Sequence, residues 1–329
     1  MSKKIGFWID DDPKRKKIAE NTKKVLKYDI RFIDAKELDL SVFLKKVLPP
    51  NRPVVIIIDH VLNNMRGQTD IGISKGSTIA EIILEKNPCV PIIGVTGQEI
   101  GNVNYRQKII YEDLFPLDDF SKHIETVRSI VNGFISLNKR RIRTIKGLLS
   151  LLLPPIEDVE KISSIIPVEI KSNLGTKYLY STLSRWIRFS FLGHPGFIYD
   201  RLWTATLLGL KFESLVKIET QIKDAKYSGI FADIGEDRWW QSRLRQVVIK
   251  KTVPVKLEDI ALLGRKLSDI TIRDHSSCYF CGEDLPEIVG FTDATALTPA
   301  QLHLRCSIPH PRFENSLFFE EIRMMKESD

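Results

Sequence analysis

Apolar and polar positions alternate in blocks along the first 136 residues. Lys4 to Ile9 is a short apolar run ending on Asp10, Asp11 and Asp12, the pattern of a buried strand. Pro13 opens a segment in which Ile18, Val25 and Leu26 are spaced among polar residues, and proline's fixed φ suits a first helical turn. Asp29 to Asp34 alternates as a second strand. Glu37 to Leu48 has helical spacing and stops at Pro49 and Pro50. Pro53 to Asp59 holds a run of β-branched residues, Val54 to Ile58, which predicts a strand covered on both faces. Thr78 to Glu85 reads as a helix, Val90 to Thr96 as a fourth strand, Lys108 to Tyr111 as the start of a fifth and Leu117 to Phe134 as a closing helix. Strand and helix alternating at this spacing predict an α/β fold with a doubly wound, parallel five-stranded sheet.

Beyond Leu137 strand-like alternation gives way to helical spacing. Leu137 to Leu153, Ile156 to Ile166 and Thr176 to Leu192 each read as helices. Phe197 to Tyr227 reads as one long helix with an apolar stripe, followed by Arg238 to Val248 and Leu257 to Leu267. The chain therefore divides into an α/β domain (1–136), an α-helical domain (137–270) and a small C-terminal module (271–329). Its 329 residues, 43% hydrophobic and 28% charged, are those of globular protein and exclude collagen-like, disordered and disulfide-scaffold classes. The longest apolar run, Gly147 to Leu153, stops at Pro154, short of the ~20 residues that span a bilayer. Three aspartates stand where a signal peptide would need its apolar centre, so a cytoplasmic location is expected. The net charge of +7 is spread over both halves and does not by itself imply a nucleic-acid partner.

Chemistry concentrates at predicted strand ends. In doubly wound sheets ligands sit at the carboxyl ends of strands, at the point where the strand order reverses. Those ends carry Asp10, Asp11, Asp59 and Thr96. One such Asp is commonly only a strand end or a helix cap. Three carboxylates converging on one crevice repel each other unless a divalent cation neutralises them, and hard oxygen ligands suit Mg2+. A metal there also prepares one carboxylate to accept a phosphoryl group.

Residues 3–135 resemble the receiver domain of two-component response regulators. Asp10 and Asp11 match the acidic pair that holds Mg2+, Asp59 the phosphoryl-accepting aspartate, and Thr96, followed by Gly97, the hydroxyl residue that contacts the phosphoryl group. The resemblance implies that the backbone carbonyl of Val61 is the remaining protein ligand to the metal. Two departures stand out. The family's Lys before Pro at the end of the fifth strand falls on Phe115, before Pro116, and its aromatic switch position falls on Glu112, next to Tyr111. The loop after Asp59 is long, and Lys75 or Arg66 on it are candidates to supply the lost cation. Two variants follow: a receiver phosphorylated on Asp59, or a pseudo-receiver that serves as a docking surface.

In the helical region, Trp239 and Trp240 beside Arg238, Arg243 and Arg245 form a cluster of the kind that stacks on bases or makes a protein hot spot; the bland alternative is one core Trp and solvated arginines. Lys139 to Lys146 is a basic run best read as a linker. No nucleophile and base stand at credible spacing there, so no enzyme activity is expected beyond self-phosphorylation of Asp59 from a phosphodonor. Near the C-terminus, Cys278 and Cys281 flank a knuckle followed by Gly282, and His303 and Cys306 stand three apart, on one face of a short helix begun by Thr298 and Pro299. This resembles a treble-clef zinc finger and predicts a closed structural Zn2+ site at Cys278, Cys281, His303 and Cys306, with His310 or His275 as substitute fourth ligand. The function expected is a signalling or regulatory protein whose partners are a sensor kinase or other signalling protein, with no membrane. The alternative is a nucleic-acid-binding regulator using the basic run, the Trp and Arg cluster and the zinc module.

Overall fold

Five parallel strands run side by side in the order β2-β1-β3-β4-β5: β1 (Ile5–Asp10), β2 (Asp29–Asp34), β3 (Val55–Asp59), β4 (Ile92–Thr96) and β5 (Asp113–Pro116). This computed structural model describes residues 4–48, 52–62, 75–140, 142–252, 260–279, 281–284, 288–291 and 300–303. The chain moves from β1 outward to β2, then back across to β3, so the order reverses between β1 and β3. That order is the flavodoxin-like doubly wound arrangement, whose ligands sit at this reversal. Every residue of β3 and β4 is buried, as their unbroken apolar runs require of strands covered on both faces. Register brings the functional ends level: Asp59 lies opposite Val95, and Thr96 opposite Pro116.

Among the helices, α1 (Lys16–Leu26) follows a 3-10 turn (Pro13–Arg15), where the Asp12 side chain accepts from the Lys14 amide. It buries Ala19, Thr22 and Leu26 along one face and ends at Lys27, whose φ of 58° is left-handed. Next come α2 (Leu40–Val42), continuing into a π turn, α3 (Gly76–Lys86), α4 (Tyr105–Lys108), α5 (Ile124–Arg140) and α6 (Ile145–Leu152). Phe7, Ile9, Ile56, Ile58, Ile79, Ile83 and Ile92 belong to one buried cluster on a face of the sheet.

The chain forms two compact units that interleave in sequence: residues 1–153, 163–190 and 229–235 in one, and 154–162, 191–228 and 236–329 in the other. These units cut across the sequence segments 1–136, 137–270 and 271–329, because later segments return to the sheet. Helix α7 (Val168–Ser172) and helix α8 (Leu179–Arg185) belong to the sheet's unit. Beyond α8, Arg188 is buried against Glu112 and Asp113 of the β5 region. The 229–235 segment lies on α5, where Ser129 donates to the Asp233 carbonyl and the Phe231 ring occupies the space a Cβ at Gly133 would need.

The second unit contains α9 (Arg201–Leu207), α10 (Gln241–Thr252), α11 (Ile260–Gly264) and two small antiparallel ribbons, β6 (Ile198–Tyr199) with β7 (Trp239–Trp240) and β8 (Ile288–Phe291) with β9 (Ala300–His303). Leu208, Leu215, Ile218, Trp239, Leu244 and Leu263 are part of its core.

Several elements differ from the sequence expectation. The fifth strand ends at Pro116 as expected but starts at Asp113, not at Lys108, because the Asn104 side chain caps the Arg106 amide and winds 105–108 into α4. The long helix expected over 197–227 is broken. Asp200 caps a helix that starts at Arg201, and Gly209 adopts φ +68°, where a Cβ would come within 2.7 Å of the Ala261 carbonyl oxygen. The helix expected from Arg238 begins at Gln241, after the Trp pair has served as a strand. The helix expected from Leu137 to Leu153 is split, its second part starting at a Thr144 cap. No described helix is long and apolar enough to cross a membrane.

Candidate functional site

At the reversal point, β1 delivers Asp10 and Asp11 and β3 delivers Asp59; one carboxylate oxygen from each lies within 4.8 Å of the others. Asp10 is buried and held from both sides. Trp8 Nε1 donates to its Oδ2 at 3.2 Å and the Asp12 amide to its Oδ1 at 2.9 Å. Trp8 stands two residues before Asp10, on the same face of the strand, as the period of two requires. Asp59 is only 2% exposed. Its Oδ1 is 3.5 Å from the Val61 amide, which brings the Val61 backbone to the site. Burial first, then the neighbouring charge of Asp10, raises the pKa of Asp59 to about 6, against the opposing pull of Arg15 and the Val61 amide. Asp10 is likewise raised, chiefly by burial. Thr96 is buried at the end of β4, where its Oγ1 accepts from the Gln98 amide at 3.0 Å. The four strand-end residues predicted from sequence are thus brought to one end of the sheet.

Sequence reasoning missed the cation. Neither Lys75 nor Phe115 supplies it, and Arg66 lies outside the described residues. Phe115 is buried in a run of rings, 6.2 Å from Phe120 and stacked on His123 at 4.6 Å. Lys75 pairs through its backbone with Val61. Arg15, on the turn before α1, reaches the carboxylates instead. Its Nη1 is bonded to Asp59 Oδ2 and lies 3.4 and 3.3 Å from the two oxygens of Asp10. The signal available in the sequence was a basic residue just past the first strand's acidic end, within one turn of Pro13.

The switch position also reads differently in three dimensions. Tyr111 is buried, its hydroxyl 3.2 Å from Nδ1 of His60, the residue after Asp59. Gly94 makes room, since a Cβ there would stand 2.8 Å from Tyr111 Cγ. Burial raises the Tyr111 hydroxyl pKa and, with the charge of Lys75, lowers that of His60. Glu112 points elsewhere, into a buried pocket where Ser181 and Ser184 donate to its carboxylate and Arg188 Nη1 donates to its carbonyl at 3.0 Å. Arg185 donates to the Tyr111 carbonyl at 3.1 Å.

No known protein family matches the sequence, and no curated protein does. Solved structures do match the N-terminal part. Those described below are receiver domains or a response regulator. One from Methanospirillum hungatei JF-1 is 14% identical and covers 40% of this chain and 98% of its own, with a TM-score of 0.30. The receiver of an HD-domain protein from Pseudomonas fluorescens Pf-5 is 15% identical, covers 43% and 95%, and scores 0.34. The response regulator TrrA from Thermotoga maritima, solved with Mg2+ and BeF, is 19% identical, covers 38% and 98%, and scores 0.27. The sheet order and register of this chain are themselves those of a doubly wound parallel fold.

At the other candidate site, Cys278, Cys281 and His303 have ligand atoms within 4.8 Å of one another. Cys281 Sγ is 3.2 Å from His303 Nδ1, and the His303 amide donates to Cys278 Sγ at 3.3 Å. Gly282, at φ +69°, closes the knuckle by donating to the Cys278 carbonyl. His303 sits on strand β9, not on a helix, because residues 300–303 pair with 288–291. Cys306, His310, Thr298 and Pro299 lie outside the described residues. His275 pairs with Leu210 and is not part of the cluster. Trp239 and Trp240 are 1% and 0% exposed, so neither ring is a surface for stacking on bases; both are core.

Proposed function

We propose that the receiver-like unit accepts a phosphoryl group on Asp59 and passes that state on through protein contacts. The observation that supports this most is the convergence of three carboxylates at the strand-order reversal, with Thr96 at the adjacent strand end. Oxygen donors this close, and one carboxyl pushed up to about 6 by burial and then by the charge of Asp10, fit a hard divalent cation. Asp10, Asp11, Asp59 and the Val61 carbonyl would hold Mg2+, which supplies charge neutralisation of the transferring oxygens. In the transfer, a carboxylate oxygen of Asp59 bonds to phosphorus while the bond from phosphorus to its leaving group breaks. With acetyl phosphate, acetate departs with the electron pair. The test is intact mass after incubation with acetyl phosphate and MgCl2. One added phosphoryl group on the wild type, absent from Asp59→Asn, is expected. No adduct on the wild type leaves the pseudo-receiver reading, a docking surface that the loss of Lys at Phe115 favours; an adduct that survives Asp59→Asn overturns the assignment of the acceptor.

We further infer that Cys278, Cys281 and His303, with Cys306 by its spacing, hold a structural Zn2+. A soft thiolate and imidazole set on a turn and a strand suits zinc. Purified protein is expected to carry about one zinc per chain by elemental analysis. Chelation is expected to expose the Cys278 thiol, buried in the fold, to a thiol reagent. Zinc far below one per chain, with Cys278 equally protected before and after chelation, would refute it.

A further inference from the structure

Phe115 removes the cation that the fifth strand of a receiver supplies, yet the carboxylates of Asp10 and Asp59 are not left without one. Arg15 enters from the opposite side of the sheet end. It closes the 3-10 turn of Pro13–Arg15, its amide donating to the Asp12 carbonyl at 3.0 Å, just past the end of β1. Nη1 bridges Asp10 and Asp59, and Nε lies 3.8 Å from Asp12 Oδ2. The other terminal nitrogen, Nη2, is 3.9 Å from where a Cβ on Gly97 would stand, beside the turn that follows Thr96. One guanidinium therefore spans the ends of β1, β3 and β4. The side chain is 23% exposed and has a path to solvent.

We propose that Arg15 is the cation of this phosphoryl site, a clamp on Asp59 and Asp10 in the resting chain that yields those oxygens to a divalent metal and turns to the transferred phosphoryl group. The proposal rests on the reading of Asp59 as the acceptor. Two physical facts drive it. A metal ion bound through Asp10 and Asp59 needs lone pairs that Nη1 now occupies, so guanidinium and metal compete for the same atoms. A guanidinium stays charged, and its paired N–H groups match phosphate oxygens, which become available once the Asp59 oxygen has bonded to phosphorus and the acetate of acetyl phosphate has left with its electron pair. Nη2 already lies on the Thr96 side, where those oxygens would come to rest.

The experiment uses the full chain, stripped of metal, as wild type, Arg15→Ala, Arg15→Gln and Arg15→Lys, with circular dichroism to confirm folding. Calorimetric titration with MgCl2 is expected to show affinity rising about tenfold in Arg15→Ala and Arg15→Gln, with Arg15→Lys between them and the wild type. At saturating MgCl2, the rate of adduct formation from acetyl phosphate is expected to fall by about ten- to a hundredfold in Arg15→Ala and to recover in part in Arg15→Lys. Unchanged or weaker Mg2+ binding in the neutral variants overturns the proposal, and so does an undiminished labelling rate. A wild type that binds Mg2+ but takes no phosphoryl group instead sinks the acceptor reading itself, and the two failures are told apart by whether the wild type labels at all. If Arg15→Ala does not fold, Arg15→Gln and Arg15→Lys carry the same comparison.

Discussion

Strand ends place Asp10, Asp11, Asp59 and Thr96, whereas the reach of Arg15 depends on the 3-10 turn and on a side-chain path that no apolar pattern encodes. Trp239 and Trp240 misled for the converse reason: aromatic and guanidinium residues in sequence proximity look alike whether the rings face solvent or core. Asp274 is another residue whose role only the fold displays. It accepts from Lys217 at 2.6 Å, Ser214 at 2.8 Å and the amide and hydroxyl of Thr271 at 3.0 and 2.8 Å, and closes a capping box. The Lys217 ammonium, first, and then the Thr271 amide hold its carboxyl below the usual range. A carboxyl with a depressed folded pKa stabilises the fold above its ordinary value, and that contribution is lost as pH falls further. Wild type is therefore expected to lose thermal stability below about pH 4 more steeply than Asp274→Asn, which is the less stable of the two at pH 7. Plots of melting temperature against pH, from pH 7 to about pH 3, that run parallel for the two proteins would show the role to be wrong.

At the scale of elements, the apolar runs place the long sheet strands, whereas the pattern starts β5 too early, at Lys108, because the strand is short and only half apolar. Its position is secured by tertiary contacts from α8 and the turn beyond it. Arg188 donates to the Glu112 carbonyl and to Asp113 Oδ2 at 2.9 Å, while its guanidinium lies 3.6 Å from the Glu112 carboxylate; Arg188 and Glu112 are buried and Asp113 is half-buried. Burial raises the Glu112 pKa, and Arg185, Ser181, Arg188 and Ser184 counter it. Truncating Arg188 leaves the buried Glu112 carboxylate with Arg185 as its remaining cation and takes from Asp113 its ion pair at 2.9 Å. Arg188→Ala is expected to cost about 3 to 5 kcal/mol by urea denaturation. The double variant with Glu112→Leu is expected to cost less than the sum of the two single changes, because each single change already removes the Arg188–Glu112 interaction, while Asp113 loses Arg188 in both Arg188 variants. Additive losses would mean that the two residues do not act as a pair. Helices in the second unit were over-extended in the sequence reading because an apolar stripe continues through Gly209, where only the left-handed backbone reveals the break.

For the whole molecule, alternation of strand and helix is enough to foresee a doubly wound sheet, and cysteine and histidine spacing is enough to foresee that Cys278, Cys281 and His303 come together. The interleaving of the two compact units was not foreseeable. Segments 163–190 and 229–235 rejoin the sheet's unit through contacts separated by tens of residues, such as Arg188 with Asp113 and Phe231 with Gly133. Those contacts place α8 directly on the Tyr111 and Glu112 stretch, and Tyr111 in turn touches His60, next to Asp59. A change of state at Asp59 thus has a short, packed route to a segment of chain outside the five-stranded sheet. The account stands on Asp59 receiving the phosphoryl group, and the most direct measurement is to trap it there. After labelling with acetyl phosphate and MgCl2, borohydride reduction converts an aspartyl phosphate to homoserine, which peptide mass mapping locates. Conversion at position 59, dependent on Mg2+, is the result predicted; conversion at Asp10 or Asp11 instead, or at no aspartate, contradicts it.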